Sequence, residues 1–275
     1  MAEIVCAFGV PHTPAFPALA VREGPDGAVQ RLYRAVREQI EAVQPDVLVV
    51  YDSDHVNTFF FNNWPTFAIG VTPQIPGPND DNSGLEKTVV PSDEDLAHHL
   101  YAGGVAAGFD FALSQKFEID HSIMVPLHFV TPKLNVPIVP LFINGVAPPL
   151  PAAKRCFALG AAVRSAIESW PKDLRVGVLA SGSFSLDVSG PMMEPGGNSG
   201  VPAMAWSNRV IELLGAAKID DLLEETTADR MSRAGNVAGE ILNWIAMLGM
   251  LQGRKPAFVE KHEGFGHAFA AWRWD

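Results

Sequence analysis

Near its start the chain carries residues 3–9 (EIVCAFG), apolar throughout after Glu3, which stop at VPHTPAFP. An apolar run without polar alternation predicts a strand covered on both faces. Over residues 27–43 the period changes. Val29, Leu32, Tyr33, Val36, Ile40 and Val43 fall three or four apart, the spacing of one buried helix face. A proline-started run at 45–55, PDVLVVYDSDH, then ends in a polar turn. Strand, helix and strand in this order form a βαβ opening. The pattern predicts an α/β fold with a mainly parallel or mixed central sheet flanked by helices.

Residues 72–92 are rich in Pro, Asp, Asn and Gly and predict a long loop, a candidate lid. A helix is expected over 93–107 and a buried strand over 136–144 (VPIVPLFIN), whose prolines predict irregular pairing. A helix over 151–168 precedes a strand at 175–180. A second flexible loop is expected at 186–203, then helices over 204–216 and 226–249. No repeat, low-complexity tract or linker interrupts the pattern, so residues 1–275 are expected to form one domain.

Composition narrows the setting. Of 275 residues, 48% are hydrophobic and 19% charged, as in ordinary soluble proteins, and the formal net charge is −11. That acidic balance argues against nucleic acid and against an anionic membrane surface as partners. No stretch approaches a membrane span, and MAEIVCAFGV lacks the basic region of a secretory signal. Cys6 and Cys156 form no CxxC pair and are expected to be reduced, buried thiols of a cytoplasmic protein.

Three residues stand out as carriers of chemistry. His12 follows the first strand between two prolines that restrict its loop, and His55 follows the second strand. Imidazoles at the carboxyl ends of successive parallel strands can converge on one point; the alternative is two unrelated loop histidines. Glu240 lies in RAGNVAGEILNWIAMLG, on the flank of the stripe Val237, Ile241, Trp244 and Leu248. Buried there, a carboxylate must be paired, protonated or metal-bound; at a boundary it reaches water. Two histidines and one carboxylate are the ligand types of a non-heme Fe(II) oxygenase, and a Zn²⁺ hydrolase uses the same types.

Further segments follow in order: YDSDHVNTFFFNNWPTFAIG at 51–70, DHSIMVPL at 120–127, KRCFALGAAVRSAIESWPKDLRVGV at 154–178, and GEILNW at 239–244. Taken together, the chain resembles the class III extradiol ring-cleavage dioxygenases. The resemblance implies an α/β sandwich in which His12, His55 and Glu240 bind Fe(II) and His121 lines the pocket. It also implies opening of an aromatic ring beside two adjacent hydroxyls, with both atoms of O₂ inserted. A small aromatic substrate and O₂ are the implied partners, with a homo-oligomer, a dimer of catalytic subunits, and sometimes a small α subunit.

The chain departs from the family at one position. The family's turn after the equivalent strand ends in Ser-His, the histidine being its acid–base group; here the turn reads Gly182-Ser183-Phe184-Ser185-Leu186. Leucine cannot move a proton, and a positioned acid–base group contributes about 10²–10⁴-fold. His121 is the leading stand-in, Asp120 beside it acts through its charge, and His262 and His267 lie in a tail that matches the family poorly. Phe184, Ser185, Leu186 and His128 are expected at the substrate pocket. Alternatively, the substrate differs (an aminophenol-like ring needs less help losing a proton), or the chain is a non-catalytic, metal-binding partner subunit. Ser183 and Ser185 do not form the Gly-x-Ser-x-Gly elbow of a serine hydrolase. His98 and His99 are expected at a helix surface or boundary, and Trp244 and Phe59–Phe61 in the core.

Overall fold

The computed structural model describes residues 1–188 and 200–274. Strand β1 (Ala2–Val10) is buried at every position but Glu3. It lies parallel to β8 (Leu174–Ser181), which in turn lies parallel to β2 (Val47–Asp52). On the far side of β2, strand β7 (Ile138–Ile143) continues the parallel run. Two short strands, β3 (Phe67–Gly70) and β6 (Phe111–Ser114), extend that edge, β3 antiparallel to β7. At the opposite edge the hairpin β9 (Phe258–Lys261) and β10 (Ala268–Arg273) adds antiparallel to β1. The result is an eight-stranded mixed sheet in the order β6-β3-β7-β2-β8-β1-β10-β9.

Both sheet faces are covered, which is why the central strands are apolar throughout. On one face α1 (Phe16–Glu23), α2 (Ala28–Val43) and α4 (His121–Val130) cover Val5, Phe8, Leu48 and Phe142. On the other, α3 (Glu94–Ala106), α5 (Ala153–Glu168), α6 (Met204–Gly215) and α9 (Ile241–Met250) cover Ala7, Val49, Leu141 and Val178. Among the described residues, no helix is long and apolar enough to cross a membrane. Cys6 and Cys156 are buried and unpaired, and burial pushes both thiols up to about 12.

The strong periods predicted well. The helices expected at 27–43, 93–107, 151–168 and 204–216 are α2, α3, α5 and α6. The irregular pairing expected of 136–144 is seen at Pro140: the β3–β7 ladder stops at Ile69–Leu141, one residue short of it. Three expectations are corrected. The 72–92 segment is not a loop but holds a two-stranded sheet, β4 (Gln74–Gly77) with β5 (Thr88–Pro91), because Ile75 and Val90 are buried against the α1–α2 side. The 226–249 helix is broken: α7 (Ile219–Glu225) and α8 (Ala228–Ala234) precede a gap at Gly235, a 3₁₀ turn at Ala238–Glu240, and then α9. Phe59 and Trp244 are in the core, but Phe60 and Phe61 are exposed. Most of the expected 186–203 loop, residues 189–199, lies outside the described residues.

Candidate metal and active site

Strands β2, β8 and β1 are neighbours and run parallel, so their carboxyl ends open into one crevice. His12 enters it just past β1 and His55 just past β2, with ring centroids 5.1 Å apart. Glu240 comes from the opposite side of the sequence, at the start of α9, and is 1% exposed. The break at Gly235 therefore decides the glutamate's position. It ends α8, turns the chain, and leaves Glu240 at a helix N-terminus, where the backbone dipole favours a carboxylate. Boundary placement is excluded, because α9 is buried on every side.

The three side chains meet. Glu240 Oε1 lies 3.2 Å from His12 Nε2 and 3.1 Å from His55 Nε2. Two ligand atoms at right angles, each about 2.1 Å from an ion, stand about 3 Å apart, so both distances suit neighbouring ligands of one metal ion. Hydrogen bonds behind the rings set the tautomers that a metal needs. Ser181 donates its hydroxyl proton to the Ser122 carbonyl at 2.5 Å, so its oxygen accepts from His12 Nδ1 at 2.8 Å. Asp120 Oδ2 accepts from His55 Nδ1 at 3.1 Å. Both Nε2 atoms are thereby aimed at Glu240. Glu240 Oε2 accepts in turn from the Ser183 backbone N–H at 2.7 Å.

His121 completes the cluster. One ring nitrogen each of His12, His55 and His121 lies within 4.8 Å of the others, and His121 stacks on His55 at 4.5 Å. The carboxylate of Asp80, from the segment between β4 and β5, fixes its ring. Asp120 caps α4 through the Ser122 N–H while accepting from the His55 N–H, His55 Nδ1 and Asn57 Nδ2. One carboxylate thus orients both the His55 loop and the helix bearing His121. The His55 turn is further held by Asp54, which accepts from the N–H groups of Asn57, Thr58 and Phe59. Between them Val56 takes a left-handed backbone (φ 64°), costly for a β-branched residue.

Electrostatics follow from burial and pairing. Burial lowers His12 towards neutrality, opposed by Glu240. Burial acts the same way on His55, but Asp120 and Glu240 outweigh it and hold its pKa well above the ordinary value. Burial alone raises Glu240 and Asp120; the adjacent imidazoles, His12 and His55 for the first, His121 and His55 for the second, hold both below the usual carboxylate range. Burial with Asp120 nearby raises Asp54 to about 6. Burial, Asp120 and Asp54 push the Asp52 carboxyl well above its ordinary range, and one of its oxygens has no partner among the described residues. A positive ion suits this centre: the Glu240 carboxylate and three imidazoles meet there, with the Asp120 carboxylate behind the His55 ring.

The remaining expected residues have other surroundings. Phe184 is fully buried against Trp244, with ring centroids 4.9 Å apart. Ser185 donates to the Ala234 carbonyl and accepts from the Ala203 N–H, which fastens the turn. Leu186 is half-buried, its carbonyl accepting from the Val237 N–H. His128 is exposed, two turns beyond His121, with its ring edge on Phe129. His98 is exposed and His99 bridges to the α5 end through Ala166 and Ser169. The sequence reading missed Asp80, Ser181 and Asn57. The adjacent acids in NDDNSG were the one visible hint of Asp80.

Comparison with known proteins gives the class. Residues 6–272 match the family described as the catalytic LigB subunit of aromatic ring-opening dioxygenase, and the chain belongs to that family of ring-cleaving enzymes. It is 27% identical to the 2,3-dihydroxyphenylpropionate/2,3-dihydroxicinnamic acid 1,2-dioxygenase of Burkholderia vietnamiensis, over 89% of this chain and 87% of that one. With the enzyme of the same name from Paraburkholderia xenovorans it shares 30% identity over 83% and 82% of the two chains. An uncharacterized protein of Escherichia coli K12, JW3007, has the same fold: TM-score 0.61 at 15% identity, over 97% of this chain and 98% of that one.

Proposed function

We propose that the chain is an Fe(II)-dependent extradiol dioxygenase for a catechol-like or aminophenol-like ring, with His12, His55 and Glu240 as the iron ligands. The single observation that carries the assignment is Glu240 Oε1 lying at ligand–ligand distance from both Nε2 atoms, each imidazole tied at Nδ1. Ferrous ion, when bound, supplies a Lewis acid for the paired oxygens and an electron path to O₂.

The protein's part is to position and to move protons. His121, its Nδ1 held by Asp80, presents Nε2 as an acid–base atom beside the metal face. Asp120 keeps the His55 loop and α4 in register with each other. Phe184 and Trp244 exclude water behind the β8 turn. The dihydroxylated, carboxylate-bearing rings named for the relatives are the first substrates to try. A non-catalytic scaffold has no use for this ligand triangle and its hydrogen-bonded supports, which favours turnover over the partner-subunit reading.

The test is oxygen uptake by the purified chain, loaded anaerobically with Fe(II), across catechols and aminophenols. We expect stoichiometric iron, a coloured ring-fission product and loss of activity on oxidation to Fe(III). Full iron with no uptake on any ring overturns the proposal, and activity with Zn²⁺ alone on esters or amides favours a hydrolase.

A further inference from the structure

The C-terminal hairpin carries two histidines that the mechanism above does not use. His262 follows β9 and His267 precedes β10. Both are buried, and His262 Nδ1 lies 3.2 Å from His267 Nε2. Phe265 stacks on His262 at 4.1 Å, and the edge of Phe16, four residues after His12, packs 5.5 Å from His267. Two neutral imidazoles in contact share one proton, one ring donating and the other accepting, so the pair is a ready path for a proton.

The hairpin is docked on the turn that follows β8. The Gly266 carbonyl accepts from the N–H groups of Phe184 at 2.8 Å and Ser185 at 3.0 Å. A Cβ on Gly266 would fall 1.9 Å from the Ser185 carbonyl oxygen, so only glycine permits the approach. His267 therefore leaves the hairpin beside the β8 turn, whose Gly182 touches Glu240. That turn supplies Ser183, Phe184, Ser185 and Leu186 and no group that titrates near neutrality. Burial and then the adjacent His262 lower His267 well below an ordinary histidine, with His12 adding to the effect and Glu240 opposing it. Burial also lowers His262, with Glu23 opposing and Arg31 assisting. Both rings are thus pushed toward the neutral form.

We propose, on the ring-opening reading above, that His267 is the proton acceptor on the β8 side of the substrate and His262 its relay outward. The substrate O–H bond breaks, its electron pair stays on oxygen, and an N–H bond forms at His267 Nδ1. The proton on His267 Nε2 passes to His262 Nδ1, and His262 Nε2 releases one to water near Glu23 and Arg31. The reverse transfer returns a proton when the ring opens.

The experiment compares wild type, His267→Gln, His262→Gln and His267→Gln with Leu186→His, all loaded anaerobically with Fe(II). The bound probe is 4-nitrocatechol, whose visible spectrum reports its ionisation. Iron content is expected to be equal in all four. In His267→Gln the pH for full ionisation of the probe rises by about one unit or more, and kcat falls by about 10²–10⁴-fold. His262→Gln is slowed with a larger solvent isotope effect, and a histidine at 186 restores part of the loss, which a purely structural role for His267 would not allow. A wild-type spectrum and rate in His267→Gln, or, should that variant not fold, in His262→Gln, overturn the relay. Iron-loaded wild type that neither ionises the probe nor consumes O₂ instead overturns the ring-opening reading, and the relay with it.

Discussion

Asp80 Oδ2 accepts from both the backbone N–H of His121, at 3.0 Å, and its ring Nδ1, at 2.7 Å. The two bonds fix where the residue starts and how its ring turns, and they leave Nε2 as the working nitrogen. Asp80→Asn removes the charge while keeping one acceptor. We expect kcat to fall about tenfold or more with KM and iron content unchanged, Asp80→Glu to recover part, and His121→Gln to cost about 10²–10⁴-fold. Steady-state kinetics beside metal analysis read all three.

The same pair fixes a sign for stability against pH. The His121 bonds pull the Asp80 carboxyl below its ordinary 3.8 despite burial. Its contribution is therefore present above the unfolded value and lost as pH falls through the lower folded one. Asp54, raised from 3.8 to about 6, has the opposite sign: its contribution is complete below 3.8 and lost as pH rises through about 6. Urea unfolding of the metal-free protein should thus show the cost of Asp80→Asn shrinking in acid. The cost of Asp54→Asn should be largest in acid and shrink towards neutrality. Parallel pH curves for wild type and both variants would contradict the assignment.

Metal binding is expected to stabilise the fold. Free Fe(II) at a hundred times its Kd raises stability by about 2.7 kcal/mol, visible as an anaerobic rise in Tm. Glu240→Gln and His12→Gln should abolish that rise while folding without metal. A full rise in either variant removes that residue from the ligand set.

Gly182 is where β8 passes the glutamate. Its φ is +154°, and a Cβ there would lie 2.6 Å from Glu240 Cβ and 2.9 Å from the Glu240 carbonyl oxygen. Gly182→Ala should therefore destabilise by about 2 kcal/mol or more and displace Glu240, losing the Fe(II)-dependent rise in Tm. Gly215→Ala, where a methyl meets nothing within 4 Å, is the control and should leave both unchanged.

Legibility in the sequence tracked local periodicity. Strands β1, β2 and β8 and helices α2 and α5 were readable because each carries its own apolar pattern, and from them came the crevice and the two histidines. Glu240 was found by a stripe argument that assumed one long helix, whereas Gly235 breaks it. The local geometry that the stripe implied was wrong. Helix α4 escaped because it is apolar on nearly every side and contains Pro126, so no period marks it. Strands β3, β6 and β9 are four residues each, too short for alternation to show. Asp80 meets His121 across 41 residues of chain, and no local pattern encodes that pairing.

The candidate ligands His55 and Glu240 stand 185 residues apart in the chain, and β8, the neighbour of β2 in the sheet, lies between them in sequence. A nascent polypeptide emerging from its N-terminus holds both imidazoles long before the carboxylate exists. On the proposed ligand set, ion capture is consequently a finishing event, a clasp shut only once the glutamate's helix is made, and half-made chains would be spared from sequestering reactive iron.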